Sequence, residues 1–325
     1  MKKIGYLSIG FLLLFSCQQK QHTTAQDDPD TVVKMLSPAF DADSALAFTK
    51  AQVDFGSRIP STKAHEQCAD YLVAKLKSYG AEVFVQKGKV STFDGKSHEL
   101  KNIIAAFHIG QTKRILITAH WDSRPFSDQD SDENMRNQPF EAANDGASGV
   151  AVILEMARQI QQQQPDVGVD FVLWDIEDYG KSNDSSPNES TWCLGSQYWV
   201  RNPPVTGYSP MYAINLDMVG GSNAQFTQDA VSRKYAPEVI AKVWKTAEEI
   251  GYGNYFINVP SGSIIDDHFW INQAGIKAID IIHFSDNGGF YPYWHTQLDN
   301  LNNINKNTLK AVGQTVLETI YREKN

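Results

Sequence analysis

Arg114-Ile115-Leu116-Ile117-Thr118-Ala119-His120-Trp121-Asp122 is an apolar run that ends in an imidazole and a carboxylate. The branched-rich part, Arg114–Thr118, reads as a buried strand. The pattern recurs at Ile103–Phe107, Phe171–Trp174, Tyr212–Leu216 and Ala278–Ile282. Three of these runs also precede groups that bind metals or carry protons. Glu177 and Asp178 follow Phe171–Trp174, Asp217 follows Tyr212–Leu216, and His283 follows Ile282. Helical patterns alternate with the strands at Ala64–Tyr79, Ser148–Gln163, Pro237–Ile250 and Asn307–Tyr321. This alternation predicts an α/β fold: a single-domain three-layer sandwich with a mixed, mostly parallel central sheet. Open sheets of this kind hold their sites outside the C-terminal strand ends. The polar residues at those ends are therefore expected to converge on one edge.

The 325 residues are 42% hydrophobic and 21% charged, which suits a globular enzyme. A net charge of -9 with no basic stripe argues against a nucleic-acid partner. Met1-Lys2-Lys3 and the apolar run from Ile4 to Phe15 read as a secretory signal, too short for a comfortable membrane span. Leu14-Phe15-Ser16-Cys17 resembles a bacterial lipobox, whose cysteine becomes the lipidated first residue. The expected organisation is a signal peptide over 1–17, a flexible tether over 18–36 and one domain over 37–325. The expected location is a bacterial membrane facing the periplasm, reached only through a lipid anchor at Cys17, or outside the cell if the lipobox is not used. Cys68 and Cys193 remain, either as an exported pair or as two buried free thiols.

Asp145 in Asn144-Asp145-Gly146-Ala147, Asp178 in Glu177-Asp178 and His295 in Trp294-His295-Thr296 form a two-carboxylate, one-imidazole set. Zinc accepts such ligands and keeps an open position for catalysis. Glu177, beside a ligand, is placed to move a proton. In Asp266-Asp267-His268, Asp267 is a candidate helix cap and Asp266 the residue expected to face the site. Asp280 lies inside an apolar strand and needs partners there; a network with Asp266, sharing a proton, would supply them. Trp121, Trp192, Phe290, Tyr291, Tyr293 and Trp294 fall in the site loops, with Trp294 expected as a pocket wall.

Ala119-His120-Trp121-Asp122-Ser123, Asn144-Asp145-Gly146-Ala147-Ser148-Gly149-Val150, Asp175-Ile176-Glu177-Asp178, Asn215-Leu216-Asp217-Met218 and Trp294-His295-Thr296 together resemble the zinc aminopeptidase clan. Within it, residues 40–325 look most like the glutaminyl-peptide cyclotransferases of the animal-like zinc type. The resemblance implies one zinc on Asp145, Asp178 and His295, with Glu177 shuttling a proton. It puts hydrogen-bonding aspartates at Asp217 and Asp266 and a pocket tryptophan at Trp294. Leu194-Gly195-Ser196 is similar to a family segment close to Trp192, a further expected pocket residue. The chain departs from the animal pattern at Asp178, usually glutamate, at Asp280, usually histidine, and at Trp121 and Arg124, usually tyrosine and lysine. Asp280 is expected to join the substrate-side network.

Two activities follow from the resemblance. In one, the N-terminal glutamine of a peptide or exported protein closes to pyroglutamate and releases ammonia, with Glu177 and Asp266 as catalytic residues and Trp294, Trp192, Asp217 and Asp280 on the substrate side. In the other, His120 and Asp217 hold a second zinc, with Asp145 bridging, and the chain is an aminopeptidase. Trp294 before His295 and Asp266 before Asp267 favour the cyclase, where clan peptidases more often have tyrosine and serine. A lipid-anchored binding protein would need a broken site, and no key position is broken. A monomer with one zinc per chain is expected.

Overall fold

Eight strands and eight helices follow one another in the computed structural model, which describes residues 1, 34–182, 189–285 and 288–325. The strands are β1 (Glu82–Ser91), β2 (Ser97–Phe107), β3 (Arg114–His120), β4 (Gly168–Trp174), β5 (Ala213–Asp217), β6 (Phe226–Gln228), β7 (Phe256–Pro260) and β8 (Ala278–Ile282). The helices are α1 (Ala42–Val53), α2 (Lys63–Ser78), α3 (Ala147–Gln162), α4 (Leu194–Arg201), α5 (Ala230–Tyr235), α6 (Pro237–Glu249), α7 (Asp267–Gln273) and α8 (Lys306–Arg322).

Six strands form one sheet in the order β1-β2-β4-β3-β5-β8. The pairs β4–β3, β3–β5 and β5–β8 are parallel, whereas β1–β2 and β2–β4 are antiparallel. The sheet is therefore mixed, as expected, and its parallel half carries the site. Successive side chains alternate between faces. Ile117, Phe171, Leu216 and Ile281 pack into the larger core with residues of α1, α2, α3, α6 and α8. Leu116, Val172, Ala213 and Ala278 pack on the other face against Trp199 of α4 and Ile271 of α7. These are the three layers.

That second face is not wholly apolar. Thr118, Asn215 and Asp280 replace the hydrophobic residue on three neighbouring strands. The Thr118 hydroxyl donates to Asn215 Oδ1 at 2.7 Å, and the Asn215 amide donates to Asp280 Oδ1 at 3.2 Å. A buried polar stripe thus crosses the sheet just below its C-terminal edge, with each member partnered. On the opposite face α3 crosses close to β5. A Cβ added to Gly149 would lie 2.4 Å from the Leu216 carbonyl oxygen, so only glycine allows this approach.

Residues Lys34–Asn325 form one compact unit. Its first residues are tied to α8: the Leu36 and Ser37 amides donate to the Glu318 carboxylate at 3.0 Å each, and the Phe40 amide to Gln314 Oε1 at 2.8 Å. The signal, the lipobox Cys17 and the tether up to residue 33 lie outside the described residues. No described helix is long and apolar enough to cross a membrane. Cys68 and Cys193 are both buried and free. The helix after Asp266 starts one residue earlier than a cap at Asp267 requires: Asp266 is the N-cap, accepting the Asp267 amide, and Asp267 is the first helical residue.

Candidate metal centre at the sheet edge

The parallel strands deliver their exits to one edge. His120 ends β3, Asp217 ends β5, and the Asp175–Asp178 turn leaves β4. Asp145 comes from the turn leading into α3, and a Cβ on Gly146 beside it would meet the His120 carbonyl oxygen at 2.5 Å. His295 arrives on the loop after β8. Ile176, Met218 and His295 have left-handed backbones, with φ of 54°, 48° and 55°. Such values are uncommon in non-glycine residues, and for a β-branched one a genuine outlier. They aim the neighbouring carboxylates and His295 inward.

The geometry brings two donor groups together around one shared carboxylate. Asp145, Asp178 and His295 offer ligand atoms within 4.8 Å of one another, and so do His120, Asp145 and Asp217. His295 Nε2 lies 3.0 Å from Asp178 Oδ1 and 3.5 Å from Asp145 Oδ2. His120 Nε2 lies 3.0 Å from Asp145 Oδ1 and 3.3 Å from Asp217 Oδ1. Asp145 Oδ2, Asp178 Oδ2 and Asp217 Oδ1 are buried without a hydrogen-bond partner. Several buried carboxylate oxygens facing one another call for a cation. This orphaned set, with an imidazole beside it, fits zinc.

Around the candidate ligands stands a supporting layer: the sequence marked Asp122 at a strand end and Arg124 as a departure without giving either a role, and it did not single out Asp128 or Asp299. Asp299 accepts the Asn144 and Asp145 amides at 2.7 and 3.1 Å. Asp122 accepts the Glu177 and Asp178 amides at 3.0 and 3.3 Å, which fixes the turn. Asp128 Oδ1 lies 3.1 Å from His295 Nδ1. Arg124 grips Asp128 through two bonds of 2.9 Å and donates to the Asp178 and Gly180 carbonyls at 3.1 Å each. A lysine could not make these contacts together, which gives the departure at Arg124 a physical role. The other departure, Trp121, is wholly buried and stacks on His65 at 4.2 Å; it belongs to the core. Position in the chain offered one faint signal: Asp299 and Asp128 each stand four residues after a residue of the site, His295 and Arg124.

A cavity of about 260 Å³ opens over the ligands. Glu177, Asp217, Asp266, Trp192 and Trp294 line it together with Asp145, Asp178 and His295. Met218, Ile264, Ile265, Ile282 and Phe290 complete an otherwise apolar wall. Trp192 lies parallel to the His295 ring at 6.1 Å, and Trp294 packs on it at 3.9 Å. Asp280 does not line the cavity. It sits beneath, joined to Asp266 through the Asn215 amide, which donates to Asp266 Oδ2 at 2.8 Å. His283 packs on Tyr291 at 5.5 Å, also off the cavity.

Electrostatics follow from this crowding. Burial, with the Asp266 and Asp178 charges adding to it, pushes the Glu177 carboxyl well above its usual range, while His120 opposes. Burial and Asp217 push Asp266 up to about 6. Burial disfavours a charged His295, yet Asp178 and Asp128 overcome it and lift the ring to about 9. Carboxyls whose affinity for a proton is raised toward neutrality by burial are suited to acid–base work.

Carboxylates and imidazoles converging at the C-terminal edge of the parallel strands form a candidate centre of the metallopeptidase type. The chain belongs to peptidase family M28, whose model matches residues 102–320. A glutaminyl cyclase of Bacteroides thetaiotaomicron, solved with N-acetylhistamine, is 50% identical with a TM-score of 0.87, covering 89% of this chain and 100% of that one. A leucine aminopeptidase precursor from the same species is 49% identical with a TM-score of 0.86, covering 90% and 100%. Aminopeptidase YwaD of Bacillus subtilis is 27% identical over 216 residues, 64% of this chain and 40% of that protein. The chain spans about two fifths of the length of the first curated relatives it matches.

Proposed function

We propose that the chain is a zinc-dependent glutaminyl-peptide cyclotransferase, acting on peptides or exported proteins that begin with glutamine. The observation that carries this reading is the pair of buried acidic side chains, Glu177 and Asp266, in one narrow aromatic cavity beside the candidate ligand set. Likeness over the full length of a solved glutaminyl cyclase supports it. Asp145, Asp178 and His295 hold one zinc, which supplies Lewis acidity toward an amide oxygen. Trp294 and Trp192 wall in the glutamine side chain and exclude water. Glu177 accepts a proton from the substrate's α-amine as the amine attacks the side-chain amide carbon, then delivers it to the departing ammonia. Asp266 hydrogen-bonds the leaving nitrogen. Asp217 sets the charge facing His120, and Asp280 acts from below by fixing Asn215 and so Asp266. The attack is intramolecular, so holding the chain in a folded-back pose contributes much of the rate.

The donor group of His120, Asp145 and Asp217 favours a second reading, a two-zinc aminopeptidase. The product decides between them. A Gln-initiated peptide incubated with the enzyme should lose the mass of ammonia. Release of free glutamine would make the peptidase the better description. For the rest of the molecule, residues 1–17 serve as an export signal with Cys17 as lipid anchor and the residues after it as a tether, which ends before the expected residue 36 because the compact unit starts at Lys34 and Leu36 is already bound to Glu318; that unit acts as a monomeric enzyme domain. Metabolic labelling with a fatty acid, compared between the full chain and Cys17→Ser, tests the anchor.

A further inference from the structure

Cys193 has no part in the ligand set, yet its contacts end on the residue that moves the proton. Its thiol lies 3.2 Å from Glu177 Oε1, and its backbone amide donates to the Glu177 carbonyl at 2.9 Å. The next amide, Leu194, donates to the Ile176 carbonyl at 2.9 Å. Cys193 itself has a left-handed backbone, φ 56°, and opens α4, where the Ser196 hydroxyl and the Gln197 amide donate to its carbonyl at 3.2 and 3.0 Å. Two left-handed residues, Ile176 and Cys193, are thus clipped back to back, and the clip holds both the backbone and the carboxylate of Glu177.

A glutamate side chain has three rotatable bonds and loses appreciable entropy when held in one pose. Among the described groups, Cys193 is the donor that reaches Oε1. The other oxygen, Oε2, faces His120 Nδ1 at 3.9 Å. We propose that Cys193 is a positioning residue for Glu177: its S–H fixes Oε1 and leaves Oε2 as the oxygen that exchanges the proton with substrate. Complete burial and the neighbouring acidic groups keep the thiol protonated, so it acts as a donor and not as a nucleophile. The inference rests on Glu177 being the proton carrier.

Kinetics on three variants and an infrared comparison with a fourth test it. Glu177→Gln should lose most turnover; if it stays within tenfold of the parent, the role of Glu177 itself is wrong. With Glu177→Gln inactive, Cys193→Ala should lower kcat about fivefold, the scale of one lost hydrogen bond, with KM and zinc content unchanged. Cys193→Ser, which restores a donor, should recover most of that loss. A kcat for Cys193→Ala equal to the parent, or equal losses for Ala and Ser, would overturn the positioning role. The infrared S–H stretch reads the bond without turnover: assigned to Cys193 by subtracting the Cys193→Ser spectrum, it should shift to higher frequency in Glu177→Ala. An unshifted band would overturn the proposal even if the alanine variant at 193 proved unstable.

Discussion

Asp145 offers one oxygen toward His295 and the other toward His120, so its loss should reach further than that of any other ligand. Asp145→Ala, Asp178→Ala and His295→Ala are each expected to lose zinc and activity, measured as metal content after dialysis and as turnover. Full zinc occupancy in active His295→Ala would remove that residue from the set. Glu177→Gln should keep the metal and lose about 10²–10⁴ of the rate, the usual yield of acid–base help. Asp128→Asn should weaken zinc binding by about 10–100-fold, as expected when a histidine ligand loses its orienting carboxylate. Acid should do the same for a different reason. His295, lifted to about 9 by Asp178 and Asp128 against burial, holds a proton that zinc must displace. Affinity should therefore fall as pH drops from 8 to 6, by roughly tenfold per unit for each proton released. A flat profile in competition with a chelator, corrected for the chelator's own protonation, would show that no proton leaves His295.

Elements differ in how plainly they were written. The runs at Arg114–Thr118, Phe171–Trp174, Tyr212–Leu216 and Ala278–Ile282 were legible because the central strands are covered on both faces, and Ile103–Phe107 because every second residue is buried and the rest half-buried. β1 was not, because it is an edge strand whose Lys87, Lys89 and Glu82 face solvent. α1 was missed because its buried face carries Thr49 and Gln52, so apolar periodicity is weak. The acidic and imidazole groups that converge at the edge were legible through strand-end placement and resemblance. Asp299, Asp128 and Cys193 were not, since each works by reaching a backbone amide or a side chain distant in sequence or by a turn no pattern announces. At this scale the crossing of α3 over β5 makes a prediction. Gly149→Ala would drive a methyl into the Leu216 carbonyl and the Ala119 side chain. A destabilisation of about 1–3 kcal/mol is expected, the usual cost of overpacking, read as a fall in denaturation midpoint. An unchanged midpoint would mean that α3 shifts freely, which its ties to Asp145 should forbid.

For the whole molecule, the compact unit begins at Lys34, and its first anchored contacts are those of Leu36, Ser37 and Phe40 with α8. A chain starting at residue 34 should match the full chain in kcat and melting temperature. One starting at residue 42 strips Leu36 and the buried Ser37 and Phe40 from Glu318 and Gln314 and should melt lower, while keeping its candidate zinc ligands. Equal melting of the two truncations would show that those contacts contribute nothing. Metal count belongs to this scale too: elemental analysis of dialysed protein should give one zinc per chain, and two tightly held zincs with free amino acid released would favour the aminopeptidase.

The left-handed turns at Ile176, Met218 and His295 have a practical side for anyone wishing to change what the cavity accepts. Their conformations are costly in isolation and are kept by the packing beneath them, so the loops are shaped from below. Changes at Met218 or His295 on the rim would disturb those turns. A mutagenesis library confined to Ile264, Ile265 and Phe290, cavity residues whose backbones are not left-handed, would vary the substrate's surroundings and spare the frame.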